Sequence, residues 1–189
     1  MATGTTRRQG ELLDGLVELF LASGFAAFTL ADLAERMHCS KTTLYALGHS
    51  KEALVRNVLV RFFRRATAEV EARVAEESDP ARRIATYLRA VADELRPVSR
   101  RFFDDVAANP DAGSVYRRNT RIASERIAQL IAAGVEEGAF RSVDAKFVAD
   151  LVANEMSRIQ TGAVRSGTGL GDAEAYDALA ELVLKGISH

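Results

Sequence analysis

One cysteine, three prolines and no tryptophan occur in a chain of 189 residues, and each scarcity removes a class of protein. A lone Cys39 cannot close an internal disulfide, so a reducing cytosol is the expected setting rather than the secreted space. Three histidines, one of them His189, and no second cysteine leave no metal-ligand spacing, and the adjacent pair His38-Cys39 makes no site by itself. No apolar run approaches the ~20 residues that cross a bilayer, so no membrane partner is expected. The opening MATGTTRR carries charge without the apolar stretch of a signal peptide and reads as a short mobile arm. His38 and His49 offer no nucleophilic arrangement, and no Gly-rich phosphate loop follows a strand. The chain is therefore expected to be no enzyme and to need no cofactor.

An excess of charge of one sign is also missing: the formal net charge is -1. That excludes a surface that binds polyanions all over, but the distribution is uneven. Residues 41–65 carry Lys41, Lys51, Arg56, Arg61, Arg64 and Arg65 against the single acid Glu52, whereas residues 66–189 hold 16 basic and 20 acidic side chains. One end suits a polyanion, and a solvated helix face is the competing reading of the same run.

No segment has the sustained alternation or β-branched enrichment of a strand, and the apolar spacing is helical nearly everywhere. The expectation is an all-α protein of about nine helices. A first helix over 7–22 presents Leu12, Leu13, Leu16, Leu19 and Phe20 on one face and stops at Gly24. Thr29, with Asp32 three residues on, starts a short helix to about residue 37. Ser40 caps another over 41–47. A long helix follows over 50–77, with Leu54, Val58, Leu59, Phe62, Phe63 and Val70 as its stripe. Asp79-Pro80 opens a helix to about residue 95, Pro97 breaks it, and a shorter helix with Phe102, Phe103 and Val106 ends before Asn109-Pro110. Helices are then expected over 112–136 and 144–165, a flexible loop over 166–171, and a last helix capped by Asp172.

Two short helices joined through Met37-His38-Cys39-Ser40 have the size of a helix-turn-helix. Short helix pairs are common, so the geometry alone leaves DNA binding open. The residues from Arg8 to Leu54 go further: Leu19-Phe20, Gly24-Phe25, Thr29, Leu33-Ala34, Ser40, Thr43-Leu44-Tyr45 and Ser50-Lys51-Glu52-Ala53-Leu54 resemble the N-terminal domain of TetR-type regulators. The resemblance covers roughly the first third of the chain. It implies a three-helix DNA-binding domain over 1–50, followed over 51–189 by a helical bundle for effector binding and dimerisation. It also implies a sequence-specific repressor on double-stranded operator DNA, released by a small-molecule effector.

The matched side chains suit those roles chemically. Thr29 and Ser40 start helices whose first amides attract phosphate oxygens. Thr43, Tyr45 and Lys51 are candidate backbone contacts, while Lys41 and Thr42 lie where the family reads bases. A plain helix cap or solvated surface residue competes for each one singly. Three departures stand out: His38 replaces a turn glycine, and its side chain is one of the few that tolerate a positive φ. Cys39 replaces a valine as a small buried group. Gly48 replaces an aromatic anchor, which is expected to loosen the junction before the long helix, with Leu47 filling the space. A helical protein-interaction module that has lost operator binding through His38 and Gly48 is the alternative.

Beyond the resemblance, Phe62, Tyr87, Phe102, Phe103, Asn119 and Asn154 are candidates for lining a pocket for an apolar or aromatic effector, with core packing as the competing reading. Val148, Leu151, Val152, Met156 and Ile159, then Leu179, Leu182 and Val183, give the last two long helices more than one apolar stripe. That pattern predicts a homodimer contact there, or else a larger internal core.

Overall fold

Side-chain caps decide where the helices begin. The computed structural model describes residues 7–189; the expected arm at the start lies, up to residue 6, outside the described residues. Ten helices and no strand occur among them: α1 (Arg7–Ser23), α2 (Leu30–Arg36), α3 (Lys41–Leu47), α4 (Lys51–Ala75), α5 (Pro80–Leu95), α6 (Arg100–Ala108), α7 (Pro110–Glu136), α8 (Ala145–Gln160), α9 (Ala163–Thr168) and α10 (Asp172–Ile187). Thr29, Ser40, Asp79, Ser99 and Asp144 each accept a first-turn amide, satisfying donors that the helix itself leaves unpaired. The Asn109 side chain accepts from Ala112 N at 2.9 Å, so α7 begins at Pro110, two residues ahead of the expected start.

The tenth helix comes from a break that the apolar spacing conceals. One helix over 144–165 was the expectation, but the backbone turns left-handed at Gly162, with φ 70°. Thr161 closes α8, its N–H and its hydroxyl both donating to Ser157 O at 3.0 Å. Much of the expected loop is then helical: α9 is anchored by buried Val164, and the Thr168 hydroxyl donates to Val164 O at 2.8 Å. At the start of α10, the Glu174 carboxylate accepts from Gly171 N at 2.8 Å, which makes Gly171 rather than Asp172 the N-cap.

The chain divides into two compact units that interleave along the sequence. One comprises the described residues up to 65 together with 97–117; the other comprises 66–96 with 118–189. The first unit takes in the first part of α4, together with α6 and the start of α7. In that unit α1 packs on α6 and α2 on α3. Its core holds Leu16 and Phe20 from α1, Leu33, Leu44, Leu54 and Phe102, all essentially inaccessible. Burial of each such side chain contributes about 1.5–3 kcal/mol. Five rings close a circuit of edge and tilted contacts: Phe62–Phe63 at 5.0 Å, Phe63–Tyr116 at 6.1 Å, Tyr116–Phe103 at 6.2 Å, Phe103–Phe102 at 5.7 Å and Phe102–Phe62 at 6.4 Å.

The second unit centres on α10, which packs against α5 and α8. Ile84, Leu88, Ile127, Ile131, Val152 and Tyr176 are among its buried residues. Arg126 grips Glu71 with both arms of its guanidinium, at 2.8 Å each, and Arg73 holds Asp93 at 2.8 Å.

Candidate nucleic-acid interface

The helix-turn-helix is built by two reciprocal sets of polar bonds. At the start of α2, Asp32 N donates to the Thr29 hydroxyl at 3.2 Å, while the Asp32 carboxylate accepts the Thr29 amide and hydroxyl, both at 2.8 Å. The Thr29 amide, followed by its hydroxyl, holds the Asp32 carboxyl below its usual range, with the charges of Arg36 and Lys51 acting the same way. At the other end, Cys39 N donates to Ala34 O at 2.9 Å, and His38 adopts φ 48°, the single positive φ of a non-glycine residue among those described. Histidine thus stands in for the turn glycine at a backbone conformation it can tolerate. Ser40 then accepts Thr43 N at 3.1 Å, and the two hydroxyls lie 2.8 Å apart.

That frame turns one face of α3 outward. Leu44 and Leu47 are buried, whereas Lys41, Thr42 and Tyr45 are exposed, Tyr45 by 45%. A base-reading row needs such a split, since the buried pair fixes the helix and the outer row stays available. Thr29 and Ser40 are exposed, but their oxygens already serve as caps. Thr43 is half-buried. Lys51, also half-buried, sends its ammonium to Ala26 O at 2.8 Å, tying the first turn of α4 to the segment between α1 and α2.

The cationic run is thinner than the residue count implies. Arg61 places two bonds of 2.7 Å on Asp14 of α1, and Arg65 reaches the same carboxylate at 3.5 Å. The hydrogen bond from Arg61 lowers the Asp14 pKa, and reciprocally raises that of Arg61. Lys41, Lys51, Arg56 and Arg64 are what remain of the six. Two cations to which the sequence reading assigns no role add to them. Arg36 lies 5.0 Å above the Phe28 ring, and Arg8 is close enough to half-buried Cys39 for its charge to oppose the burial that raises the thiol's pKa. Their exposed positions in α1 and α2 become informative only once the turn is folded beside them.

The junction after α3 is tight, which corrects the expectation of a loosened joint. Gly48 is buried, and a Cβ there would collide with the backbone N of Leu54 and lie 2.6 Å from its Cα. Leu47 is buried as expected, and Asn57 donates to its carbonyl at 2.7 Å. The aromatic that the resemblance leads one to expect has no room.

Residues 12–58 match the family described as bacterial regulatory proteins, tetR family. The helix-turn-helix segment of this chain is therefore similar to that of the TetR family. A curated relative, the HTH-type transcriptional repressor ComR of Escherichia coli, is 39% identical over 82 residues, 43% of this chain and 39% of that protein's length. Among solved structures, a putative transcriptional regulator from Saccharomonospora viridis in complex with choline superposes with a TM-score of 0.78 at 18% identity, over 97% of each chain. A TetR family regulator from Agrobacterium tumefaciens reaches 0.73 at 19% identity, over 98% of this chain and 100% of that one. At those identities the structures establish the fold alone. The matched span covers most of α1, all of α2 and α3 and the start of α4, and it contains Thr29, Ser40, Lys41, Thr42, Thr43, Tyr45 and Lys51.

The six candidate effector residues do not form one group. Phe62, Phe102 and Phe103 meet in the ring circuit of the first unit. Tyr87, Asn119 and Asn154 belong to the second. There Tyr87 is buried, which pushes its phenol pKa up to about 12 and keeps it neutral. Asn119 is half-buried, and Asn154 is exposed with its amide on Asp150 at 3.0 Å.

Proposed function

We propose that this protein is a sequence-specific DNA-binding repressor that acts as a homodimer and leaves its operator when a small molecule binds. The observation that carries the reading is the outward row Lys41, Thr42 and Tyr45 on a helix whose opposite side is locked into the core. Lys suits guanine O6 and N7, Thr offers a hydroxyl and a methyl, and the Tyr hydroxyl reaches phosphate. His38 and Gly48, the two departures behind the interaction-module alternative, are both accommodated in an intact turn and junction, and so lend it little weight. No catalytic role is assigned.

Support for the dimer comes from apolar side chains that the protomer leaves uncovered on α8 and α10: Phe147 at 63% exposure, Leu151 at 54% and Leu182 at 71%. Phe147 and Leu151 are one turn apart on α8, and α10 packs against that helix. A two-fold dimer would read two half-sites, whose centres lie about 34–36 Å apart on successive turns of the duplex. The effector is an apolar or aromatic small molecule, and the ring circuit around Phe62, Phe103 and Tyr116 supports that class. Choline, bound by the Saccharomonospora viridis regulator, belongs among the compounds tried, because aromatic faces attract quaternary ammonium groups.

Selection of bound duplexes from a randomised pool tests the reading. Enrichment of a two-fold symmetric sequence, with affinity that falls steeply in salt, is the expected result. Recovery of no preferred sequence would overturn it. A thermal-shift screen on the same protein then identifies the effector.

A further inference from the structure

Asp105, on α6, lies well outside the matched residues 12–58, yet it grips the segment that leads into the helix-turn-helix. Its Oδ2 accepts the Phe25 amide at 2.6 Å and the Ala26 amide at 2.8 Å. Gly24, immediately before, has φ 71°, and a Cβ there would collide with that same Oδ2 and lie 2.9 Å from Arg101 Cγ. The left-handed glycine lets the chain turn and lets the carboxylate approach. A second tie runs alongside, from Ser99 N to Leu21 O at 2.7 Å.

Ala26 is thereby held from two directions. Its amide goes to Asp105 on α6, and its carbonyl receives the Lys51 ammonium from α4. Three residues on, Thr29 opens α2 with its capping box. A carboxylate shared by two amides is charge-assisted and roughly twice as strong as a neutral pair, and removing it strands the part-buried Phe25 N–H. Base contacts demand a closely defined helix position and carry the sequence preference, whereas contacts to the phosphate backbone carry no sequence information.

We propose that Asp105 is a positioning residue for operator recognition, fixing from α6 the point at which α2 begins and hence the placement of the α2–α3 pair. The inference rests on the DNA-binding reading above and adds a residue to it.

The test uses the full chain and a duplex recovered by the selection just described. Asp105→Ala and Asp105→Asn are compared with wild type on that duplex and on a random duplex of equal length, at one salt concentration, with thermal melts alongside. For Asp105→Ala, the Kd for the selected duplex should rise about tenfold or more. The Kd for the random duplex should change by less than about threefold, because phosphate contacts dominate it. Asp105→Asn keeps the size and one acceptor oxygen and should shift the ratio in the same direction by less; it decides the matter if the alanine variant does not fold. Wild-type discrimination in both variants, or equal proportional losses on both duplexes, overturns the proposal while leaving DNA binding intact. If the wild type selects no sequence, the DNA-binding reading falls and this inference falls with it.

Discussion

The Lys51 ammonium sits 2.8 Å from the Ala26 carbonyl, joining the first turn of α4 to the segment ahead of α2. A residue read from the sequence as a phosphate contact therefore also holds its own domain together, and its charge also acts on the Asp32 carboxylate. A lysine has three donors, so the bond to Ala26 leaves two for DNA.

Lys51→Ala should weaken binding to selected and random duplexes by similar factors, and should make the slope of log K against log salt shallower by about 0.9. It should also cost about 0.5–1.5 kcal/mol of stability through the lost bond to Ala26. Anisotropy titrations at several salt concentrations, with urea melts, separate the two roles. An unchanged slope with lowered stability leaves the Ala26 tie as the residue's role.

Lys41→Ala removes an exposed side chain that makes no packing contribution to the core. Stability should stay within about 0.5 kcal/mol of wild type. Binding to the preferred duplex should lose about 1–3 kcal/mol, with sequence preference relaxed at one base position. A repeat of the duplex selection with the variant checks this: full retention of every preference would move base reading elsewhere on α3.

Gly48→Ala should destabilise the protein by about 1–3 kcal/mol or more, because the added methyl meets backbone rather than a movable side chain. Denaturant midpoints measure it. A neutral result would mean that the α3–α4 junction yields, and would revive the idea of a compliant joint there.

Leu182→Glu places a charge on a side chain that is 71% exposed in the protomer. Protomer folding should hardly change, whereas an apolar contact covering this position would lose the pairing, since an unpartnered buried charge is costly. Sedimentation at several concentrations should show monomers. An intact dimer would relocate the interface away from this face of α10.

Asp14 carries a pH dependence whose direction follows from its lowered pKa. The folded state binds the proton less readily than the unfolded chain, so its contribution is fully present above the ordinary carboxylate range and fades as pH falls through the lowered folded value. Because the side chain is 35% exposed, solvent screening limits the pair to about 0.5–1 kcal/mol. Asp14→Asn should lower stability by that amount at neutral pH, and the deficit should shrink as pH falls below the ordinary carboxylate range, as urea melts at neutral and acid pH will record. An equal deficit at both would point to packing instead of charge.

The legible parts were the local ones. Thr29, Ser40 and Asp79 cap helices through residues three positions away, and Gly24 announces its stop, so the starts of α2, α3 and α5 and the end of α1 follow from short patterns. His38 was readable for the same reason, as one of the few side chains suited to its turn. Contacts between distant residues were not. Arg61 and Arg65 counted as surplus charge because Asp14, 47 positions from Arg61, gives no local sign of pairing with them. Gly48 read as slack because nothing in its neighbours reveals that Leu54 folds back against it. The break at Gly162 hides within an apolar spacing that runs on to Val164 without interruption.

Interleaving has a consequence for anyone building hybrid regulators. A graft that cuts after the matched segment, at residue 58, carries α2 and α3 but leaves behind Ser99 and Asp105. The Phe25 and Ala26 amides then face whatever the host scaffold supplies, and the glycine turn shaped around a carboxylate loses its counterpart. The portable module of this protein is not a stretch of chain but two stretches, residues 7–65 and 97–117, and a functional transplant must move both together.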